Sequence, residues 1–316
     1  MPPYENADTR PHTTNMKEMM TMKNVVKKIG MMLLTMVIVS FFAFLAFQII
    51  PGDPTIKLLS SDATAEAVAA LRAELGLDRP FFTRYFEWVL HALQGDFGTS
   101  YVYSMPVSQL LNGKLGVTAL LTAIAFVLIV LVSLPVGLFA ASRQGGWLDR
   151  ALTVLGQVVM AVPPFVVGIL LTLVCGLILH WFDPGAFIAP AQSFWSSVGY
   201  LLYPAVAIAL PRIAMTVKML KSSITEELGK DYVRTAYSRG NSPRAALYRH
   251  VLRNAVVPTV AFLAMTVADI VAGSVIIEQV FAIPGIGRLL LTSIANRDFP
   301  VVQAIVVILA LWVVLV

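Results

Sequence analysis

Two sets of residues in this sequence have the type and spacing to act on another molecule. The first lies between Asp231 and Pro258, DYVRTAYSRGNSPRAALYRHVLRNAVVP, where Arg234, Arg239, Arg249 and Arg253 are interspersed with Tyr232 and Tyr237. Guanidinium groups offer forked hydrogen bonds and tyrosines offer rigid contact area, the chemistry of non-covalent recognition. The second is Asp269, a lone carboxylate in an apolar run, with Thr266 one turn before it and Gly273 one turn after. At the centre of a bilayer a carboxylate costs ~2.5–3.5 kcal/mol on insertion scales, so it faces a bundle interior or a wet path. Two roles fit it: contact with a cation or a peptide amine in such a path, or a structural bond to a neighbouring helix or partner subunit.

Covalent chemistry has no comparable footing. There is no GxxxxGK[ST] run to cradle ATP phosphates, and GKLG at Gly113 is too short to supply one. The histidines at 12, 91, 180 and 250 have no zinc-holding spacing, no serine lies in a nucleophile elbow, and Cys175 is the only cysteine. The chain is therefore read as a non-enzyme with no metal and no cofactor of its own. If ATP drives it, another polypeptide must hold the nucleotide.

The elements that position the first set are legible locally. Tyr232, Val233, Ala236 and Tyr237 fall at offsets of one, four and five, a single helical stripe, with Arg234, Thr235 and Arg239 off it. Gly240 can take the left-handed conformation that ends a helix. Ser242 is placed to cap the next helix and Pro243 suits its first position. Helix, glycine turn, helix makes a compact lever.

The rest of the chain is membrane-like. Of 316 residues 58% are hydrophobic and 13% charged, with mean hydropathy +0.78, where soluble domains carry about 25% charged residues. After a polar amino-terminal tail (1–28), read as disordered up to Met22, the apolar runs predict six spans: Ile29–Ile50, Leu115–Ala141, Ala151–Leu179, Val198–Leu220, Ala255–Ile277 and Phe299–Val316. The first is too long for a signal-peptide core and is read as retained. Pro163-Pro164 predicts a bend at mid-depth in the third span. Residues 51–114 read as a small extracytoplasmic cap lying on the membrane, with one helix over Ala63–Leu75 ending at Gly76. Of the 23 Lys and Arg, sixteen lie in the tail and the loops on its side and seven on the other, Arg212 being counted towards the inner face. The positive-inside bias makes the tail and residues 221–255 cytoplasmic.

RTAYSRG at Arg234–Gly240, followed by RHVLRNAVVP at Arg249–Pro258, resembles the cytoplasmic coupling loop of ATP-binding-cassette importer permeases. More narrowly it is similar to the first ("B"-type) permease of the dipeptide, oligopeptide and nickel branch. PGDP at Pro51–Pro54, LGLDRP at Leu75–Pro80, GDFGTS at Gly95–Ser100, PGIGR at Pro284–Arg288 and NRDFPVVQ at Asn296–Gln303 follow the family's order. The resemblance covers nearly the whole chain from Ile29 onward. It departs in a short loop between the third and fourth spans, and in stopping inside the sixth, where the family continues with a tail containing Asp-Pro-Arg.

The resemblance implies a type I importer permease fold in residues 29–316, all-α with about six spans. It implies a coupling surface of Tyr232, Arg234, Thr235, Ala236, Tyr237, Arg239, Gly240, Arg249 and Arg253 that docks on an ATPase subunit. Lipid headgroups are the other reading of Arg249 and Arg253. Implied partners are a second permease, two ATPase subunits carrying ATP and Mg, an extracytoplasmic substrate-binding protein and the bilayer of the inner membrane. The expected cargo is a di- or oligopeptide. Nickel or a nickel chelate is the alternative, because an acidic residue at Asp269 resembles the nickel branch. A self-sufficient channel or ion-coupled carrier would need more intramembrane ionisable residues than the one at mid-depth.

Overall fold

The computed structural model describes residues 11–49, Thr55, Leu59 and 64–316, and within the first helix the side chains of 24–46 and Ile49. The PGDP run at 51–54 lies outside them. Helix α1 runs over Pro11–Ile49, so helical backbone extends into the part read as a disordered tail. Helix formation is cooperative, and Met, Lys and Glu, which fill that stretch, are good helix formers.

Among the described residues between α1 and the next span, three helices are traced and not the one expected: α2 (Ala65–Glu74), α3 (Phe81–Leu93) and α4 (Val107–Leu111). The expected one is α2: Thr64 Oγ1 caps it by accepting from Ala67 N at 3.3 Å, and Gly76 beyond its end has φ +65°. α5 (Lys114–Ser142) follows, with Pro135 inside it. α6 (Trp147–Ala161) and α7 (Pro164–Ile178) meet at 94°. The double proline therefore breaks the expected third span in two. Proline disfavours helical geometry in the residue before it, and Val162 and Pro163 are extended, at ψ 123° and 141°, leaving Pro164 to start α7.

α8 (Phe194–Leu228) outruns the expected fourth span at both ends. α9 (Asp231–Ser238) is short, and α10 (Pro243–Val280) is one helix. The second helix of the lever is thus the start of the fifth span, joined to it through a π-helical turn at Leu247–Val251. The expected outer loop 278–297 is largely helix, α11 (Ile286–Asn296), and α12 (Phe299–Leu315) ends the chain with 17 residues. Among the described residues, Asn24–Ala46, Val107–Ser142, α8 and α10 are long and apolar enough to cross a bilayer, and α6 with α7 forms a broken fifth candidate.

α5, α8 and α10 make the centre. Leu121, Ala125 and Ile129 of α5 pack on Leu201, Ala205 and Ile208 of α8 and on Leu263, Ile270 and Ile277 of α10. Small residues let helices approach closely where lipid provides no hydrophobic drive. At Gly137 an added Cβ would lie 2.9 Å from Leu220 Cδ2. Gly137→Val should therefore overpack the α5–α8 seam and cost about 1–3 kcal/mol, with partial recovery when Leu220→Ala is added. Thermal unfolding of the detergent-purified protein measures both; equal midpoints for Gly137→Val and the native chain would contradict the close approach.

Candidate functional site

The lever forms as its local chemistry dictates. Gly240 takes φ +84°, its N–H donates to Tyr237 O at 2.9 Å, and Asn241 N donates to Ala236 O at 3.2 Å. Ser242 Oγ accepts from Ala245 N at 3.3 Å and Pro243 opens α10. The expected stripe divides. Val233 and Ala236 are buried, Tyr232 is half-buried, and Tyr237, near the end of α9, is 41% exposed. Val233 sits in an apolar cluster with Ala141 of α5, Leu220 and Ile224 of α8, and Leu247, Val251 and Ala255 of α10. One face of α9 is thereby fixed to the ends of all three central helices. Arg234, Thr235 and Arg239 are exposed beside Tyr237, and Arg249 and Arg253 are exposed on the first turns of α10.

The turn into α9 is held by ions and a phenol. Glu227 at the end of α8 accepts from Lys230 Nζ, and from Tyr232 Oη at 2.5 Å. The hydrogen bond to Glu227 pushes the Lys230 ammonium up. Burial, then the same carboxylate, pushes the Tyr232 phenol up. A folded-state pKa that is raised adds stability that is present below the unfolded value and lost as pH climbs through the raised one. The hydrogen bonds from Lys230 and then Tyr232 hold the Glu227 carboxyl below its usual range, and that contribution is lost as pH falls through the depressed value. The latch is therefore formed at neutral pH and opens at both the acid and the alkaline extreme.

Asp269 does not stand alone. Its Oδ2 lies 2.8 Å from Arg212 Nη1 on α8, the two side chains being 52% and 28% exposed. Arg212, counted with the inner-face cations from its position in the sequence, thus belongs to this pair, deep along both helices. Thr266 is elsewhere: it is buried, and its hydroxyl donates to Phe262 O at 2.8 Å. Gly273 has nothing within 4 Å of where a Cβ would stand, so no helix of this chain approaches it closely. Of the three residues proposed for a path, Asp269 and Gly273 lie towards the open side of α10 and Thr266 towards the core.

Two buried carboxylates at the end opposite α9 escaped sequence reasoning. Glu278 is 0% exposed. Its Oε1 accepts from Thr118 Oγ1 at 2.6 Å, and its Oε2 from Gly287 N at 2.7 Å and Arg288 N at 3.1 Å. Thr118 Oγ1 in turn accepts from Ile286 N at 3.0 Å. The carboxylate and its threonine thus satisfy the first N–H groups of α11, where the helix dipole also favours negative charge. The glycines of PGIGR are what admit it: a Cβ at Gly285 would lie 2.4 Å from Glu278 Cδ, and one at Gly287 would lie 2.4 Å from Val275 Cα.

Asp298, also 0% exposed, accepts from Ser100 Oγ at 2.5 Å and from Tyr101 N at 3.0 Å. GDFGTS and NRDFPVVQ, 198 residues apart at this contact, are two halves of one joint. The signal was present as motifs, but nothing in a single sequence says which motif meets which.

Two family models match the chain. One, described as "Binding-protein-dependent transport system inner membrane component", covers residues 133–316, and its amino-terminal companion covers 20–122. A Sinorhizobium fredii protein named as a peptide ABC transporter permease is 34% identical over 90% of this chain and 91% of its own. A Brucella abortus protein named as a peptide transport system permease is 34% identical over 88% and 89%. A Salmonella choleraesuis protein named as a glutathione transport system permease is 32% identical over 92% and 93%.

The buried carboxylate at α11 has a measurable consequence. Glu278→Ala leaves the Gly287 and Arg288 N–H groups unpaired, at about 1–3 kcal/mol for each buried donor. Glu278→Gln keeps an acceptor for them and should fall between the two. The thermal midpoint of purified protein should rank native above Gln above Ala, and identical midpoints for Gln and Ala would exclude the capping role.

Proposed function

We infer that this chain, which belongs to the family of inner-membrane components of binding-protein-dependent transport systems and is the permease subunit of an ABC importer, forms half of a translocation path for di- and oligopeptides. A second, similar permease supplies the other half. Two ATPase subunits, carrying ATP and Mg, dock on the face made by α9 and the start of α10. An extracytoplasmic binding protein delivers cargo at the opposite end. The amino terminus and α9 are cytoplasmic: fifteen Lys and Arg remain on that side once Arg212 is set apart, against seven on the other.

The observation that carries this reading is the double character of α9. Its outward face offers Arg234, Thr235, Tyr237 and Arg239 to a partner, and its inward face is packed on α5, α8 and α10. Force applied to such a helix reaches the membrane bundle directly. A surface that only met lipid headgroups would not need an inward face tied to three spans.

Peptide is favoured over nickel by the Arg212–Asp269 pair as well as by the relatives' names. A metal cation needs uncompensated negative ligands, and here the Asp269 carboxylate is already neutralised by a guanidinium. Among the described residues no group of three His, Cys, Asp or Glu side chains is arranged to hold a metal ion. A neutral pair with both signs on its open side suits a cargo that carries an amine and a carboxylate together.

Two measurements bear on this. Gly240→Val puts a β-branched residue at φ +84°. Peptide uptake and cargo-stimulated ATP hydrolysis should both fall about tenfold or more, the equivalent of at least ~1.4 kcal/mol, at normal membrane levels. Full transport by this variant would sink the lever. Asp269→Asn and Arg212→Gln should each lower peptide uptake per assembled complex about tenfold or more, since a charge-assisted contact contributes ~1.5–3 kcal/mol. Normal uptake per complex with less complex recovered would make the pair structural instead.

A further inference from the structure

We propose that α3 is a membrane-embedded helix seated in the outer leaflet, its free apolar stripe covered by lipid acyl chains. The proposal extends the permease reading and depends on it only for which leaflet is meant.

α3 is three-sided. Phe81, Tyr85 and Trp88 face α1. Phe81 meets Phe41 and Phe44 at 5.8 and 5.3 Å between ring centroids, Tyr85 meets the same two at 5.5 and 5.6 Å, and Trp88 lies 6.4 Å from Phe44. Tyr85 Oη also bonds Ser40 Oγ at 3.0 Å and donates to Val37 O at 3.3 Å. Thr83, Glu87 and His91 form a polar stripe at intervals of four, and Glu87 pairs with Arg79 at 2.5 Å. The remaining stripe, Phe82, Phe86, Leu90 and Leu93, is 62%, 61%, 58% and 80% exposed. Four large apolar side chains in line on one helix are more than the scattered exposure any surface shows.

What covers them follows from where α3 touches α1. Its contacts fall on Val37, Ser40, Phe41 and Phe44, all inside the Asn24–Ala46 span. At 1.5 Å per residue these lie about 3–14 Å from Ala46 along the helix. Interfacial helices bury their apolar face about 5–10 Å into the headgroup and acyl boundary. α3 is thus held at acyl-chain depth by α1 itself, not perched above the surface. Around α1 at that level Val37, Ile38 and Phe42 are likewise exposed and apolar, so the stripe continues a lipid-facing surface. The polar stripe gives the helix one side for water or headgroups.

The test uses the complete transporter, with its second permease and ATPase subunits, in phospholipid nanodiscs. In a Cys175→Ala background, Phe86→Cys and Leu90→Cys each carry an environment-sensitive fluorophore, and Glu87→Cys reports on the polar stripe. Quenchers are phosphatidylcholine spin-labelled near the top of its acyl chain, and aqueous iodide. The expected result is lipid quenching at 86 and 90 several-fold stronger than iodide quenching, with the order reversed at 87. Iodide quenching at 86 and 90 equal to that at 87 would put α3 in water and overturn the proposal. Access by neither quencher would mean that the second permease or the binding protein covers the stripe, and would overturn it equally. Leu90→Cys reads the same stripe if Phe86→Cys does not assemble. None of these readings needs transport, so a failure here is separate from a failure of the peptide assignment.

Discussion

A polar group inside a bilayer must find its partner within the protein, and the end of this permease opposite α9 depends on one carboxylate that meets that demand for three segments together. Glu278 belongs to α10, its threonine partner to α5, and the N–H groups it accepts from to α11. Without it the first turn of α11 would present donors to a core that excludes water, at the cost attached to any unpaired buried amide. The site leaves no room for a side chain beside the carboxylate, which explains why glycine stands at both 285 and 287. Asp298 repeats the solution one element later, joining the start of α12 to the loop before α4. Neutral donors meet both: a threonine hydroxyl and a helix terminus at Glu278, a serine hydroxyl and a loop N–H at Asp298.

The end that carries α9 rests more on apolar packing. Val233, Leu247 and Val251 meet Ala141, Leu220 and Ile224 through apolar contact alone, which is non-directional and tolerates small sliding. Charged groups at this end include the Glu227, Lys230 and Tyr232 latch at the rim and a buried carboxylate, Asp149, which accepts from Lys221 Nζ and from Gly145 N at 3.0 Å. The end at Glu278 is thus held mainly by directional hydrogen bonds and the end at α9 mainly by apolar packing.

What the sequence made legible divides along the same line. The lever was readable because its signals are local: the glycine that must be left-handed, the serine two residues on, the proline at the helix start. Length and hydropathy are also local, and among the described residues four of the six apolar runs lie in helices long enough to span, a fifth in a broken pair and the sixth in a shorter helix. Position along the chain misled wherever a partner decides. Arg212 looked like an inner-face cation until Asp269 was found beside it. The residues between 278 and 297 looked like a loop because PGIGR reads as turn chemistry, and only the buried carboxylate makes a helix start affordable there. α3 was missed although its helical period is present, Phe82, Phe86, Leu90 and Leu93 on one stripe against Thr83, Glu87 and His91 on another, because residues 51–114 read as polar by their overall composition. The double proline was noticed, but a kink and a break differ in whether the preceding residue leaves helical geometry, and that is settled by packing.

α10 draws these features together. At 38 residues and ~1.5 Å per residue it is about 57 Å long. Its first turns carry Arg249 and Arg253, its interior carries Asp269, and its last turn carries Glu278. A continuous helix transmits displacement along its length far better than a chain of loops, so what α9 receives at one end bears on the Arg212–Asp269 pair without any separate relay. The places where the rod can yield are also fixed by chemistry: the π-helical turn at Leu247–Val251, and Pro258, which supplies no N–H to the ladder. Both lie on the α9 side of Asp269. Bending there would change the angle of the coupling surface while the segment from Asp269 to Glu278 moves as a unit, held at its far end by the α11 cap. Opening at the pair then requires α8 and α10 to separate, and the pair itself opposes that separation.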